Sequence, residues 1–202
     1  MRIAKVLLAA GQSSRFDGCK LIANVGNNKT MIARAVDVLQ QLDAGAVYVV
    51  SGAWHNEITQ ALKHYNNVEI ICNLDWQQGL GKSIALAANQ LRHSDGWDGI
   101  LFMLADQVEL EACDIQQLVT RFQNNPTRWC ANYGERLGVP AIFPHDDFDL
   151  LTTLSNDKGA QHLLREPGGI VNCILLNKAS ADIDTVEQLN CYTAKTGAKL
   201  NN

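Results

Sequence analysis

The sequence predicts an α/β fold with three layers, in which helices cover both faces of a doubly wound, mostly parallel sheet. Apolar runs recur at residues 3–10, 46–50, 68–72 and 99–105. They alternate with segments whose apolar residues have the spacing of amphipathic helices. Continuous apolar strands separated by such helices are typical of βαβ units, whose parallel strands are buried on both faces. Ligands in these sheets bind at the carboxyl ends of the strands.

Length and composition limit the classes of protein that fit. The 202 residues, 47% of them hydrophobic, are enough for one domain over 1–202 with a sizeable core. A formal charge of −4, with no cluster of Lys and Arg, argues against nucleic acid or an anionic membrane as a partner. The six cysteines include no C-x-x-C pair, so neither a zinc site nor a disulfide framework is expected. We expect a cytoplasmic protein without a signal peptide or a membrane span.

The first strand leads into a polar loop at 11–20. The small residues Ala9, Ala10 and Gly11 let a ligand approach the backbone where the loop begins. Glycine also permits backbone conformations in which successive N–H groups converge on one point. Arg15 and Lys20 add two cations, so we expect the loop to bind an anion, most readily a polyphosphate. The alternative is an ordinary βα loop whose charges are solvated.

Helical spacing follows the loop. Thr30 is placed as the N-cap of a helix whose apolar residues recur up to Leu42. After the second strand, the turn Ser51-Gly52 leads into a helix that carries Ile58 and Leu62. A third strand then completes two βαβ units.

A second glycine-rich turn begins the next helix, with the sequence Gly-Leu-Gly-Lys-Ser at 79–83. It is not a P-loop, because Trp76 stands where the first glycine of that motif belongs, and Ile84 excludes the dinucleotide motif in the same way. What remains is a helix N-terminus with free N–H donors, Lys82 and the Ser83 hydroxyl. Capping and ligand binding both fit this turn.

The most apolar strand, at 99–105, ends in Asp106. A carboxylate at the carboxyl end of a central strand faces the crevice where ligands bind, and it suits Mg²⁺ held against phosphate oxygens. The alternative is a cap or an Asx turn for the helix that begins near Glu111.

The regular alternation changes after residue 122. Strands at 128–133 and 140–143 surround a polar turn, and Pro140 favours a sheet edge or the start of a strand. A cap signal at Asn156-Asp157 predicts a helix with Ala160, Leu163 and Leu164, and residues 170–176 form the last clear strand. The segment 182–187 contains a capping box around Thr185 and a group of carboxylates, which is either solvated surface or a metal site.

Several of these segments match, in order and spacing, the motifs of one enzyme family. They are Leu8-Ala9-Ala10-Gly11 with Arg15 and Lys20-Leu21, Asn73-x-Asp75-Trp76-x-x-Gly79-x-Gly81-x-Ser83, Ala105-Asp106-Gln107, Tyr133-Gly134 through Gly138-x-Pro140, Asp157-x-Gly159-Ala160, and Asp182-Ile183-Asp184-Thr185. Together they resemble the nucleotidyltransferases of the MobA-like group, and within it the molybdenum cofactor cytidylyltransferases. The resemblance implies a Rossmann-like fold of the nucleotide-diphospho-sugar transferase type.

The resemblance also implies a reaction, a cofactor and partners. Such an enzyme moves CMP from CTP to the terminal phosphate of molybdopterin, with Mg²⁺ bound, and releases pyrophosphate. An apo-molybdoenzyme is a further expected partner. Residues 1–110 would form the NTP half and 111–202 the acceptor half.

The resemblance assigns site residues as follows. The catalytic residues are Arg15, Lys20 and Asp106. The nucleotide-binding residues are Leu8, Ala9, Ala10, Gly11, Arg15, Lys20, Gly79, Gly81 and Ser83. The acceptor-binding residues are Tyr133, Gly138 and Pro140, and the metal ligands are Asp106 and Asp184.

Two positions bear on the substrates. Family members with Leu-Ala-Ala-Gly tend to use CTP and those with Leu-Ala-Gly-Gly tend to use GTP, and this chain has Ala10. A methyl group there narrows the base site, an effect of about 1–3 kcal/mol. Val139 stands where a His often precedes the proline of the acceptor segment, which leaves a sugar phosphate or another phosphorylated metabolite open as acceptor. A non-catalytic cofactor chaperone is the other alternative.

Overall fold

A central sheet of seven strands organises the part of the chain that the structure describes. The computed structural model describes residues 1–94, 96–134, 136–155, 157–165 and 169–200. The strands are β1 (Ile3–Ala9), β2 (Val47–Ser51), β3 (Val68–Cys72), β4 (Gly99–Leu104), β5 (Arg128–Asn132), β6 (Leu137–Pro144) and β7 (Val171–Leu175). Their order in the sheet is β3-β2-β1-β4-β6-β5-β7. All paired neighbours are parallel except those of β6, so the predicted mostly parallel sheet is confirmed.

Six α-helices accompany these strands in the described residues. They are α1 (Met31–Gln40), α2 (His55–Leu62), α3 (Leu80–Arg92), α4 (Ala112–Asn124), α5 (Phe148–Thr152) and α6 (Val186–Leu200). Thr30 caps α1 as predicted, because its Oγ1 accepts a hydrogen bond from the N–H of Ala33 at 3.3 Å. None of the described helices combines the length and the apolar character that crossing a bilayer requires.

Strand β1 shows why the fold has three layers. All seven of its residues are buried, and its side chains alternate between two separate hydrophobic clusters. Leu7 belongs to the cluster on one face of the sheet, and Leu8 belongs to the cluster on the other. The buried ammonium of Lys5 is neutralised by the carboxylate of Asp43 at 2.6 Å. A strand that is buried on both faces confirms the predicted doubly wound architecture.

Because strands β3, β2, β1 and β4 are parallel, the connections that follow them all lie at the carboxyl end of the sheet. These are the polar loop after β1, the turn at Gly52, the turn that contains Asn73 and the strand end at Asp106. The glycine-rich loop and the acidic strand end therefore lie next to each other, as the sequence predicts.

The predicted position of Pro140, at a sheet edge or at the start of a strand, is wrong. Pro140 lies inside β6, and β6 lies between β4 and β5 in the interior of the sheet. The pairing of β5 with β6 moves from Ala141 directly to Gly138, so Val139 and Pro140 form an irregularity without ladder partners. Proline has no N–H to donate, and such a bulge is where a central strand tolerates it.

The predicted helix after Asp157 is also wrong. Residues 157–164 form consecutive turns, and Asn156 of the proposed cap lies outside the described residues. Gly159 has φ +56°, which a right-handed helix does not accommodate, and it packs against Leu80 of α3. The apolar residues of the segment, Ala160, Leu163 and Leu164, are nevertheless buried in the cluster beneath α3.

Candidate active site

A cavity of about 430 Å³ opens at the carboxyl edge of β1 and β4. Its lining contains most of the predicted nucleotide and metal residues: Leu8, Ala9, Ala10, Gly11, Arg15, Lys20, Gly79, Ser83, Asp106 and Asp184. The predicted nucleotide residue Gly81 is buried in the first turn of α3 and is not part of that lining. The predicted acceptor residues Tyr133, Gly138 and Pro140 do not line the cavity either.

Four charged side chains converge in this cavity. The Nζ atom of Lys20 lies 2.7 Å from Oδ2 of Asp106 and 2.7 Å from Oδ1 of Asp184. The second oxygen of Asp184 accepts a hydrogen bond from Nη2 of Arg15 at 2.6 Å. Lys20 is only 12% exposed, whereas Arg15 is 69% exposed. The alternative of a loop with solvated charges therefore does not apply to Lys20.

The pKa values reflect this network. Burial alone lowers the pKa of Lys20, but the charges and hydrogen bonds of Asp106 and Asp184 outweigh burial, so the net pKa is raised. Burial raises the pKa of Asp184, and its contacts with Lys20 and Arg15 reverse that effect and lower it. Both shifts favour the charged forms, so the network consists of ion pairs near neutral pH.

A chain segment from the end of the sequence carries Asp184 to Asp106. Gln107 and Asp182 form an antiparallel bridge, and the N–H of Ile183 donates to the carbonyl of Asp106 at 3.3 Å. The buried amide of Gln107 donates to the carbonyls of Val139 at 2.9 Å and of Ala179 at 2.8 Å. Gln107 thus joins the end of β4, the bulge of β6 and the segment that bears Asp184.

The start of α6 is fixed by the capping box that the sequence predicts. Oε1 of Gln188 accepts hydrogen bonds from the N–H groups of Asp184 and Thr185, at 2.7 Å and 3.0 Å. The Thr185 hydroxyl accepts one from the N–H of Gln188 at 3.3 Å. This cap holds the backbone of Asp184 and leaves its carboxylate directed at Lys20 and Arg15.

The carboxylate of Asp106 is not a helix cap. Glu111 caps α4, in a capping box with Asp114. Oδ1 of Asp106 is buried and has no hydrogen-bond partner among the described residues. A buried carboxylate oxygen without a partner is costly unless a ligand satisfies it, and a hard cation is such a ligand. Asp106 and Asp184 therefore fit a divalent metal of the Mg²⁺ type.

The polar loop after β1 presents unused backbone donors. Among the described residues, none accepts a hydrogen bond from the N–H groups of residues 11–15. Ser13 has φ +57°, and its carbonyl accepts a hydrogen bond from the N–H of Phe16 at 2.8 Å. Consecutive N–H groups in a turn that includes a left-handed residue make a concave anion site.

The second glycine-rich turn is packed tightly against another part of the chain. Gly79 has φ +96°, and a Cβ there would lie 2.7 Å from the backbone nitrogen of Asp157 and would collide with its carboxylate. The buried Ser83 hydroxyl accepts a hydrogen bond from Nδ2 of Asn73 at 3.0 Å. The N–H of Asp75 donates a hydrogen bond to Oδ1 of the same Asn73 amide at 3.0 Å. This turn therefore forms a rigid wall of the cavity.

The cavity also contains residues to which the sequence analysis assigned no role, namely Trp76, Gln77 and Asp157. Trp76 and Asp157 stand within the motifs that match the family, so the sequence did indicate these two positions. The acceptor residues have different surroundings: Tyr133 packs directly on Gly138, and burial raises the pKa of Tyr133. They are linked to the cavity indirectly, because the side chain of Gln107, next to Asp106, donates to the carbonyl of Val139 between Gly138 and Pro140.

Comparison with known proteins identifies relatives of the whole chain. A family model described as MobA-like NTP transferase domain matches residues 5–171. The bifunctional protein GlmU of Bifidobacterium adolescentis is 28% identical over 200 residues; this alignment covers 98% of the chain but only 40% of that relative.

Solved structures share the fold. The manganese complex of Rv0371c from Mycobacterium tuberculosis H37Rv has a TM-score of 0.78 at 20% identity, covering 96% of this chain and 99% of that one. CMP:2-keto-3-deoxy-manno-octonic acid synthetase complexed with CTP has a TM-score of 0.76 at 13% identity, covering 98% and 100%. These similarities confirm the nucleotide-diphospho-sugar transferase type of fold.

The variant Lys20→Met tests the ion-pair network. It leaves Asp106 without its ammonium partner and Asp184 with Arg15 alone, so we expect the free energy of unfolding near neutral pH to fall by about 2–4 kcal/mol. Because the pKa of Asp184 is lowered in the folded state, this difference persists at higher pH and shrinks as Asp184 becomes protonated, below about pH 4. Urea unfolding at pH 7 and at pH 3 measures both effects.

The matched control is Lys29→Met, which removes an exposed ion pair with Asp37. An exposed pair contributes less than about 1 kcal/mol, so this variant should remain close to the wild type at both pH values. Equal losses in the two variants would contradict the importance of the Lys20 network.

Proposed function

Because the chain belongs to the family of MobA-like NTP transferase domains and is thus a nucleotidyltransferase, we propose that it transfers CMP from CTP to the terminal phosphate of a molybdopterin-type cofactor. The observation that carries the proposal is the convergence of Arg15, Lys20, Asp106 and Asp184 beside the unused amides of residues 11–15. The proposal includes a cytoplasmic location, which the six free cysteines support because thiols persist in a reducing compartment.

The loop after β1 is the proposed triphosphate site. Its free N–H groups supply donors of fixed direction, and Arg15 and Lys20 supply two positive charges. An oxygen of the acceptor phosphate attacks the α-phosphorus of CTP, a new P–O bond forms, and the bond to the β-phosphate breaks to release pyrophosphate. No covalent enzyme nucleophile is needed, because alignment of the two substrates and stabilisation of the leaving charge suffice.

Asp106 and Asp184 are the proposed ligands of Mg²⁺. Oδ1 of Asp106 is buried without a partner among the described residues, and carboxylate oxygens are the ligands that Mg²⁺ prefers. When bound, the ion neutralises phosphate oxygens and orients the reacting groups. Lys20 pairs with both carboxylates in the structure, and it would be available to phosphate oxygens if Asp106 and Asp184 held a metal ion instead. The manganese complex of a structure with the same fold supports a divalent metal.

Residue 10 is the proposed determinant of nucleotide choice. Ala10 lines the cavity between the end of β1 and the free amides of the loop. A side chain at this position, where a GTP-using relative would carry glycine, leaves less room for a purine. The CTP complex of a structure with the same fold supports this choice.

The acceptor is proposed to bind near Tyr133, Gly138 and Pro140, beside the end of β4. Residues 111–202 form the proposed acceptor half, although Asp157 and Asp184 of this half line the nucleotide cavity as well. A sugar phosphate is the second candidate acceptor. The observation that favours it is Val139, whose side chain packs against the hydrophobic cluster and whose carbonyl is bound by Gln107, so it offers no polar side chain to a pterin.

Release of pyrophosphate tests the reaction and its metal site. We expect release from CTP with MgCl₂ and molybdopterin, and a preference for a hexose 1-phosphate would favour the second acceptor. Asp106→Asn should lower kcat/KM by about 10²-fold or more, because it removes a metal ligand, and circular dichroism checks that the variant is folded. The matched control is Asp146→Asn, which changes an exposed carboxylate after β6 that does not line the cavity.

The control variant should keep wild-type activity. Full activity of Asp106→Asn would remove this residue from the metal site. Nucleotide binding without pyrophosphate release, for every pair of NTP and acceptor, would instead favour a non-catalytic cofactor chaperone over catalysis.

The variant Ala10→Gly tests nucleotide choice. Removing the methyl group widens the base site, so the ratio of kcat/KM for CTP to that for GTP should fall by about tenfold. The measurement is pyrophosphate release with each nucleotide at saturating acceptor. An unchanged ratio would show that residue 10 does not select the base.

A further inference from the structure

The connection between β2 and α2 supports the polar loop from behind. The N–H of Ala53 donates to the carbonyl of Ala10 at 3.2 Å. Next to it, Gly52 lies so close that a Cβ there would be 2.7 Å from the same carbonyl oxygen and 2.6 Å from Cβ of Trp76. The two backbones therefore touch directly, which only a glycine at position 52 permits.

A second contact holds the loop at Gln12, two residues after Ala10. The indole Nε1 of Trp54 donates to the carbonyl of Gln12 at 2.9 Å. Trp54 packs against the hydrophobic cluster below α2, so its ring has a fixed position. The carbonyls of Ala10 and Gln12 are thus both held towards the β2–α2 connection.

Peptide geometry converts these two contacts into a direction for the amides. In a trans peptide the C=O of one residue and the N–H of the next point in opposite directions. Fixing the carbonyls of Ala10 and Gln12 therefore turns the N–H groups of Gly11 and Ser13 away from the connection. Gly11 and Ser13 line the cavity, and neither N–H has an acceptor among the described residues.

We propose that Trp54 is a positioning residue, whose indole N–H aims the amide of Ser13 at an anionic phosphate group in the cavity. Trp54 does not line the cavity, so it acts through the loop rather than on the ligand. Ser13 has φ +57°, a left-handed conformation that persists in a residue with a side chain where neighbouring contacts hold it.

Trp54 also differs from Arg15 and Lys20, the charged side chains of this loop that pair with other segments. Arg15 binds Asp184 in the structure. In the proposed site its guanidinium binds the phosphates instead, so its contact with Asp184 is lost when they bind. The Trp54 contact joins an indole N–H to a backbone carbonyl, so a phosphate or a metal ion does not compete for either group. This inference rests on the proposed nucleotide site.

The test is the affinity of the full chain for inorganic tripolyphosphate in excess MgCl₂, with Mg²⁺–CTP as a second probe, both by titration calorimetry. Trp54→Phe keeps an aromatic ring and loses the N–H donor. We expect its Kd for both probes to rise by about 3- to 10-fold at unchanged stoichiometry, which is the usual effect of one hydrogen bond.

The chain offers a matched control. Trp129 donates its indole N–H to the carbonyl of Asn125 at 2.8 Å, at the end of α4 and outside the cavity. Trp129→Phe loses the same kind of hydrogen bond, and its Kd should stay within about twofold of the wild type. A general loss of stability would affect the two variants alike, whereas loss of positioning affects only Trp54→Phe.

The outcomes separate the two proposals. If the wild type binds neither probe, the proposed nucleotide site is wrong and this inference falls with it. If the wild type binds both and Trp54→Phe binds equally well, or shows only a lower stoichiometry, Trp54 has no positioning role although the site stands. Should Trp54→Phe not fold, Trp54→Leu replaces it, because it also lacks the N–H donor to Gln12 and should weaken binding in the same way.

Discussion

The contact of Lys20 with two carboxylates is the interaction on which the site depends. Asp106 and Asp184 are 17% and 20% exposed, and their oxygens converge on one ammonium group. Two carboxylates that are so close and so poorly exposed repel each other, and the ammonium group of Lys20 offsets that repulsion. In the structure this positive charge comes from Lys20, and from Arg15 on the outer oxygen of Asp184.

The irregular parts of the sheet can be understood as the means of building this contact. Asp106 ends β4, whereas Asp184 arrives from a segment almost eighty residues later in the sequence, so something must join them. Gln107 does so with its backbone bridge to Asp182 and its side-chain amide. That amide needs free carbonyl groups, and the bulge at Val139 supplies one that a regular ladder would have used.

The sequence predicted the first half of the fold well because local patterns determine it. Continuous apolar strands, the Thr30 cap and polar residues at strand ends are all read from neighbouring residues, and so are Arg15, Lys20 and Asp106 as candidates. The bulge at Pro140 and the turns after Asp157 were missed, because they depend on packing between distant segments. Glycine at 159 signals a turn only when the side chain of Leu80 is known to lie against it.

The charges that line the cavity constrain the order in which ligands can bind. Two cations, Arg15 and Lys20, face three carboxylates, Asp106, Asp157 and Asp184, so the described lining carries one more negative charge than positive. A triphosphate adds more negative charge, and the side chains alone would repel it. In the proposed site, a divalent ion at the carboxylates would offset this repulsion, and Lys20 would then be available to the phosphates. The unused amides of residues 11–15 add hydrogen-bond donors without adding charge, so in the proposed site they would attract a phosphate even before a metal ion is bound.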